Sequence, residues 1–162
     1  MTLPAPYAAA ALVTVQPAWI DYNGHMNVGY YHVAFDLAAE EFFQALGFTP
    51  EFRQRSGGTT FALESHLNFL REVKQGDALR FEARVLDFDA KRVHFYQEMF
   101  HAAAGYRAAS CESLSAFVSQ ATRRTAPMPA ALLERLAAAK AAHAALPRPW
   151  QVGHVISAQP LR

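Results

Sequence analysis

Between residues 28 and 46 apolar side chains cover most of the circumference of a helix. Tyr31, Phe35, Leu37, Ala38, Ala39, Phe42, Phe43 and Leu46 leave only a narrow polar stripe, His32, Asp36, Glu40 and Gln44 at spacing four, joined by Glu41. Such a pattern predicts a helix buried on several sides. Asn27 is a good N-cap in front of it and Gly47 a natural stop behind it. At 1.5 Å per residue the run is roughly 28 Å long.

Elsewhere the period changes from helical to alternating. Residues 12–16 form a short β-prone run closed by Pro17, and residues 50–58 read as a linker. Four long β-like segments follow, at 59–71, 79–89, 92–103 and 106–120. In the first, Phe61, Leu63, Leu67 and Phe69 alternate with Glu64, His66 and Asn68; in the second, Leu79, Phe81, Ala83 and Val85 alternate with Arg80, Glu82 and Arg84. Joins as short as Gln75-Gly76-Asp77, Asp89-Ala90-Lys91 and Ala104-Gly105 favour an antiparallel meander, because parallel pairs need crossovers. The simplest way to bury one apolar helix with one long antiparallel sheet is to wrap the sheet around the helix. The expected class is therefore α+β with a hotdog fold, plus an additional C-terminal helix over 129–145. The expected organisation is an N-terminal extension (1–11), one domain (12–146) and a C-terminal tail (147–162). An edge strand of such a sheet is usually paired or covered, which points to a homodimer or larger assembly.

Composition narrows the possible partners. The 162 residues carry 15 basic and 14 acidic side chains, a formal charge of +1, so no global field recruits nucleic acid or an anionic membrane. No signal peptide or membrane span is read from the sequence, and the lone Cys111 inside a strand suits a packed thiol in a reducing cytoplasm.

The candidate chemistry lies just ahead of the long helix. Asp21, Asn23, His25 and Asn27 crowd into seven residues of loop that feed a helix N-terminus, where free N–H groups favour negative charge. They could simply shape a turn and a cap. Yet acyl-ester or thioester hydrolysis uses these same groups. A carboxylate such as Asp21 can attack the carbonyl or deprotonate water, and the N–H groups around Val28 and Gly29 can take the oxyanion. Asn23 could hold the water or the carbonyl, while His25 could orient Asp21 or donate to the leaving group. Glu64, an acid on an otherwise apolar strand, is a separate candidate. Metal ligation is thinly supported, with one imidazole and no nearby cysteine.

The run Asp21-Tyr22-Asn23-Gly24-His25-Met26-Asn27 with Gly29-Tyr30-Tyr31 resembles the hotdog acyl-CoA thioesterases of the 4-hydroxybenzoyl-CoA thioesterase superfamily. Through Glu64-Ser65-His66, residues 69–73, Gly76-Asp77, Lys91-Arg92 and His94 the chain is similar to thioesterase domains associated with carnitine dehydrogenase and assigned to betainyl-CoA. The resemblance implies catalytic or water-positioning roles for Asp21, Asn23 and His25, and substrate or oxyanion contacts from Asn27, Val28, Gly29 and Tyr31. It also implies coenzyme A as part of the substrate, with no metal and no further cofactor. Similarity to acyl carrier protein thioesterases adds Glu72 as an acidic candidate. Arg71, Lys91, Arg92, Arg123 and Arg124 are available for phosphates, and Trp19, Tyr22, Tyr30 and Tyr31 for a trimethylammonium group. An acyl-CoA hydratase or dehydratase and a non-catalytic acyl-thioester-binding module are the alternatives.

Overall fold

A computed structural model describes residues 3–158; residues 1–2 of the expected extension and 159–162 of the expected tail lie outside the described residues. In chain order the elements are β1 (Tyr7–Ala8), β2 (Val13–Thr14), a 3-10 turn (Pro17–Trp19), α1 (Val28–Leu46), α2 (Pro50–Ser56), β3 (Gly58–Phe69), β4 (Ala78–Phe88), β5 (Arg92–His101), β6 (Arg107–Ser119) and α3 (Ala130–His143). The antiparallel sheet runs β1-β4-β5-β6-β3, with β2 also paired to β4. Its inner face wraps α1. This is the expected α+β hotdog arrangement, with the additional C-terminal helix in place.

The apolar circumference of α1 explains its position. Tyr31, Ala34, Phe35, Ala38, Phe42, Phe43 and Leu46 are buried, and Phe35 meets Phe81 edge-on while Phe43 meets Phe95 edge-on. Glu41, which broadened the polar stripe, ties down the N-terminal segment: it accepts from the Tyr7 hydroxyl at 2.9 Å and from the N–H groups of Ala10 and Ala11 at 2.6 and 3.2 Å. Burial opposes charge on Glu41, but these donors win and hold its pKa below the ordinary value. Burial and the bond to Glu41 push the Tyr7 phenol up to about 12.

Two local readings change. The linker expected at 50–58 is largely the helix α2, because Pro50 stands at its first turn, Thr49 Oγ1 accepts from Phe52 N–H at 3.2 Å, and Gly57 closes it at φ 61°. Proline at that position starts a helix rather than breaking one. The apolar alternation expected along β3 is also interrupted. A register shift between Ala62 and Glu64 bulges the strand at Leu63, so that Phe61 opposes Ala116 while Leu67 opposes Cys111. An extra residue reverses which face the following side chains occupy. Phe61 therefore sits on the outer face and Leu67 on the inner one. Gly58 opens the strand where only glycine fits: a Cβ there would lie 2.1 Å from Phe117 Cζ.

α3 packs beside α1, with Leu132, Leu136 and Ala139 in one cluster with Phe42, Leu46, Val85 and Phe95, and the segment after it reaches the outer face. His143, buried on α3, accepts from Val85 N–H through Nδ1 at 3.0 Å and donates through Nε2 to Pro4 O at 3.1 Å. Farther on, Arg84 donates to Pro147 O at 2.8 Å, Gly153 N–H donates to Glu112 Oε2 at 2.7 Å, and the His154 ring stacks on His66.

Candidate active site

The loop ahead of α1 is a closed hairpin. Ile20 and Met26 form an antiparallel bridge, Asp21 N–H donates to His25 O at 3.1 Å, and Gly24, at φ 79°, donates to Asp21 O at 3.0 Å. Two bonds fix this hairpin to the body: Met26 N–H to Val73 O at 2.9 Å and Asn27 N–H to Trp19 O at 2.8 Å. Val73, fully buried between β3 and β4, is an anchor that the sequence reading missed. Its apolar side chain among charged neighbours was the available signal.

Backbone closure leaves the side chains for other work. Asp21 Oδ1 accepts from Asn23 N–H at 2.8 Å, and Oδ2 takes no hydrogen bond from any described residue. The Asp21 side chain retains only 14% of its exposure, so the carboxylate lies against the protein with one oxygen uncommitted. His25 Nδ1 is 3.9 Å from Asp21 Oδ1, beyond hydrogen-bond reach, and 3.2 Å from Met26 O. The carbonyl calls for a proton on Nδ1, which leaves Nε2 as an acceptor when the ring is neutral. Asn23 is exposed at the tip of the turn.

At the helix start Asn27 Oδ1 accepts from Gly29 N–H at 3.0 Å, while Val28 N–H, first in the helix, has no intrahelical acceptor. Val28 thus offers the free donor, and Gly29 becomes available only if the Asn27 cap turns aside. Tyr31 points into the core instead: it is 5% exposed, meets Phe69 edge-on and bonds the Val73 backbone, and burial raises its pKa.

The structure brings Asp21, Asn23, His25, Asn27, Val28 and Gly29 together and leaves Glu64 elsewhere. Glu64 opposes Leu114 on the outer face and lines a cavity of about 380 Å³ with Asp87, Asp89, Arg92, His94 and Glu112, none of them from the loop. The β3 bulge is the reason an acid appeared on an apolar strand. Glu72 is exposed and faces Lys74 at 3.4 Å.

A second cavity, of about 310 Å³, follows the polar stripe of α1. His32, Asp36, Glu40 and Gln44 line it opposite Ser65, Cys111, Ser113 and Ser115, with Arg53 also on its wall. Cys111 is buried, and burial raises its pKa. Among the cations considered for phosphates, Arg92 is committed to Asp89, at 2.6 and 2.8 Å, and Arg71 covers the Tyr106 ring at 4.0 Å. Among the aromatic candidates Trp19 and Tyr30 stack at 5.4 Å, and Tyr22 is 98% exposed. Among the described residues no group of three His, Cys, Asp or Glu forms a metal-ligand set, and no helix is long and apolar enough to cross a membrane.

Comparison with known proteins places this geometry. The model of the thioesterase-like superfamily matches residues 15–136. A betainyl-CoA thioesterase from Pseudomonas aeruginosa is 37% identical over 91% of this chain and 93% of its own length. An L-carnitine dehydrogenase/betainyl-CoA thioesterase from Rhizobium meliloti is 30% identical over 86% of this chain but only 28% of that longer protein. Among solved structures, a hypothetical Staphylococcus aureus protein in complex with CoA superposes with a TM-score of 0.86 at 25% identity, covering 98% of this chain and 100% of that one. A putative thioesterase from Pseudomonas putida gives 0.80 at 26% identity over 96% and 98%. These findings favour neither the hydratase reading nor the non-catalytic one.

Proposed function

The chain belongs to the thioesterase-like superfamily and is a thioester hydrolase; on that premise we propose its substrate, its catalytic groups and its assembly. The substrate is a small acyl-CoA, with betainyl-CoA the first choice. The named activity of the 37% identical relative supports that choice.

The observation that carries the mechanism is the uncommitted oxygen of Asp21 on a loop that runs directly into the helix start, where Val28 N–H has no intrahelical acceptor. In this reading Asp21 attacks the thioester carbonyl or takes a proton from the attacking water, while Val28 N–H, joined by Gly29 once Asn27 yields, stabilises the charge on the carbonyl oxygen. When Asp21 acts as base, the C–S bond then breaks and the thiolate leaves with a proton from the water consumed; when it attacks directly, C–S cleavage leaves an acyl anhydride on Asp21, which water hydrolyses to the free acid and the restored carboxylate. Asn23 and His25, at the rim, steer water and leaving group. Tyr31 supports the helix start from beneath. No metal or prosthetic group takes part, so dialysis against a chelator should leave turnover intact.

We assign the active unit to a homodimer through β3. Its outer edge is unpaired in the sheet order, Leu63 and Phe69 on it are 55% and 51% exposed, and Val33 and Leu37 of α1 are also uncovered. The deciding experiment is thiol release from betainyl, short-chain, long-chain and aromatic CoA esters by the wild type and by Asp21→Asn. Release from one class, lost in the variant, is the expected result. Full activity in Asp21→Asn would remove the mechanism, and no release from any ester would remove the acyl-CoA assignment.

A further inference from the structure

The Asp21 hairpin is seated on a stretch of chain that has no regular structure of its own. Residues 70–77, between β3 and β4, form neither helix nor strand, and side bonds pin them instead. Leu70 and Arg71 N–H both donate to Ala108 O, at 2.9 and 3.0 Å, Lys74 N–H donates to Asp77 Oδ2 at 2.8 Å, and Gly76 N–H donates to Val15 O at 2.9 Å. Between these bonds stands Val73, whose carbonyl takes Met26 N–H at 2.9 Å and whose backbone the Tyr31 hydroxyl also bonds. The hairpin is therefore placed only as well as this connection is.

The peptide just before Val73 is held from the turn between β5 and β6. Tyr106 OH donates to Glu72 O at 3.0 Å. The ring that carries this hydroxyl is itself fixed: Arg71 covers it at 4.0 Å and the His101 ring stands 5.0 Å away. His101 is engaged at each nitrogen, Nδ1 accepting from Ala104 N–H at 3.1 Å and Nε2 facing Asp77 Oδ1 at 3.4 Å. Asp77 thus ties the far side of the Val73 connection to the same turn that Tyr106 ties to its near side. Burial, with the Asp77 carboxylate nearby, holds the Tyr106 phenol above its ordinary pKa, so at neutral pH the hydroxyl is a donor. A phenylalanine would pack the same ring against Arg71 and His101; the hydroxyl serves the Glu72 carbonyl.

We infer that Tyr106 is a positioning residue for thioester hydrolysis: its hydroxyl holds the peptide between Glu72 and Val73 in the place from which Val73 O seats the Asp21 loop. The effect travels through backbone, from Glu72 O to Val73 O to Met26 N–H. This rests on the reading of Asp21 as the reacting group and deepens it by naming what keeps Asp21 in place. A misplacement of about 1 Å can cost about 10²-fold in rate. One hydrogen bond directly behind the loop is therefore enough to show in kcat.

Tyr106→Phe removes the hydroxyl and keeps the ring, and two readouts on that variant test the inference. Amide hydrogen exchange should quicken about three- to tenfold at Met26, the donor to Val73 O, as expected for the loss of one neutral hydrogen bond. Gln97, on the central strand of the sheet, should exchange as in the wild type. Thiol release from the preferred CoA ester should show kcat lowered about tenfold with KM within about twofold, since the groups that bind the ester stay in place. A merely structural tyrosine would lower Tm and leave both readouts at their wild-type values below the transition, the behaviour expected of Glu112→Gln, which serves as the control. An unchanged kcat, or unchanged exchange at Met26, would overturn the inference, and so would a rise in KM at constant kcat, which would make Tyr106 a substrate contact. Exchange at Met26 does not depend on the chemistry. Full activity in Asp21→Asn would therefore remove the Asp21 reading while exchange at Met26 still decided whether Tyr106 holds the loop.

Discussion

Asp21 with His25, and Glu112 with His94, are both carboxylates facing an imidazole, but they are held in different ways. On the outer face His94 Nε2 lies 2.7 Å from Glu112 Oε1 while Oε2 accepts Gly153 N–H at 2.7 Å, so both oxygens are committed. In the loop Asp21 and His25 stand 3.9 Å apart, and only one Asp21 oxygen is occupied, by Asn23 N–H. A carboxylate with all its partners in place rigidifies a fold. One with a free oxygen, against the protein on a loop that leads into a helix start, can still exchange a proton or meet a carbonyl. Residue type alone does not separate the two pairs; hydrogen-bond satisfaction does.

Removing each carboxylate sharpens that contrast most. Asp21→Asn should lower kcat/KM about 10²–10⁴-fold, the range of a lost acid/base group, with little change in Tm. Glu112→Gln should do the reverse: turnover persists, while stability falls by about 1–3 kcal/mol in denaturant unfolding as the charge-assisted bonds weaken. Inactivation by Glu112→Gln, or unfolding caused by Asp21→Asn, would break the comparison.

His143 supplies a third imidazole, satisfied at both nitrogens and neutral. Burial holds its pKa below the ordinary 6.5, so in a window below that pH the unfolded chain takes up a proton that the folded chain refuses. Its contribution is complete above about pH 6.5 and is lost as pH falls through the lower folded value. Tm should therefore decline on acidification, and His143→Gln should show a shallower decline from a lower starting point. Parallel Tm curves for the two proteins would assign the acid sensitivity to other groups.

How legible these regions were follows from the range of the forces that make them. α1 and the four long strands could be read from periodicity, since burial repeats along the chain. The Asp21 cluster could be read because its members are local. The β3 bulge could not: whether Leu63 is extruded depends on how β3 registers with β6, which is distant in sequence, and so Glu64 was offered as a site acid on an otherwise apolar strand when it occupies the outer face. α2 escaped because Pro50 and Gly57 punctuate loops as readily as they bound a short helix, and with α2 went Arg53 and Arg55. The pairing of Glu112 with His94 likewise depends on strands β5 and β6 lying side by side.

Asn27 offers the finest test, because it stands between the structural and the chemical sides of the comparison. Its Oδ1 caps Gly29 N–H in the resting loop, so it does for the helix what the bound carbonyl would do in turnover. Asn27→Ala should cost about 1 kcal/mol of stability, the usual loss of a side-chain cap. It should also leave both Val28 and Gly29 N–H open. If the cap competes with the substrate oxygen, kcat in this variant stays level or rises while Tm falls. A large fall in kcat would show instead that Asn27 contacts the reacting group directly, and would move it from the structural side to the chemical one.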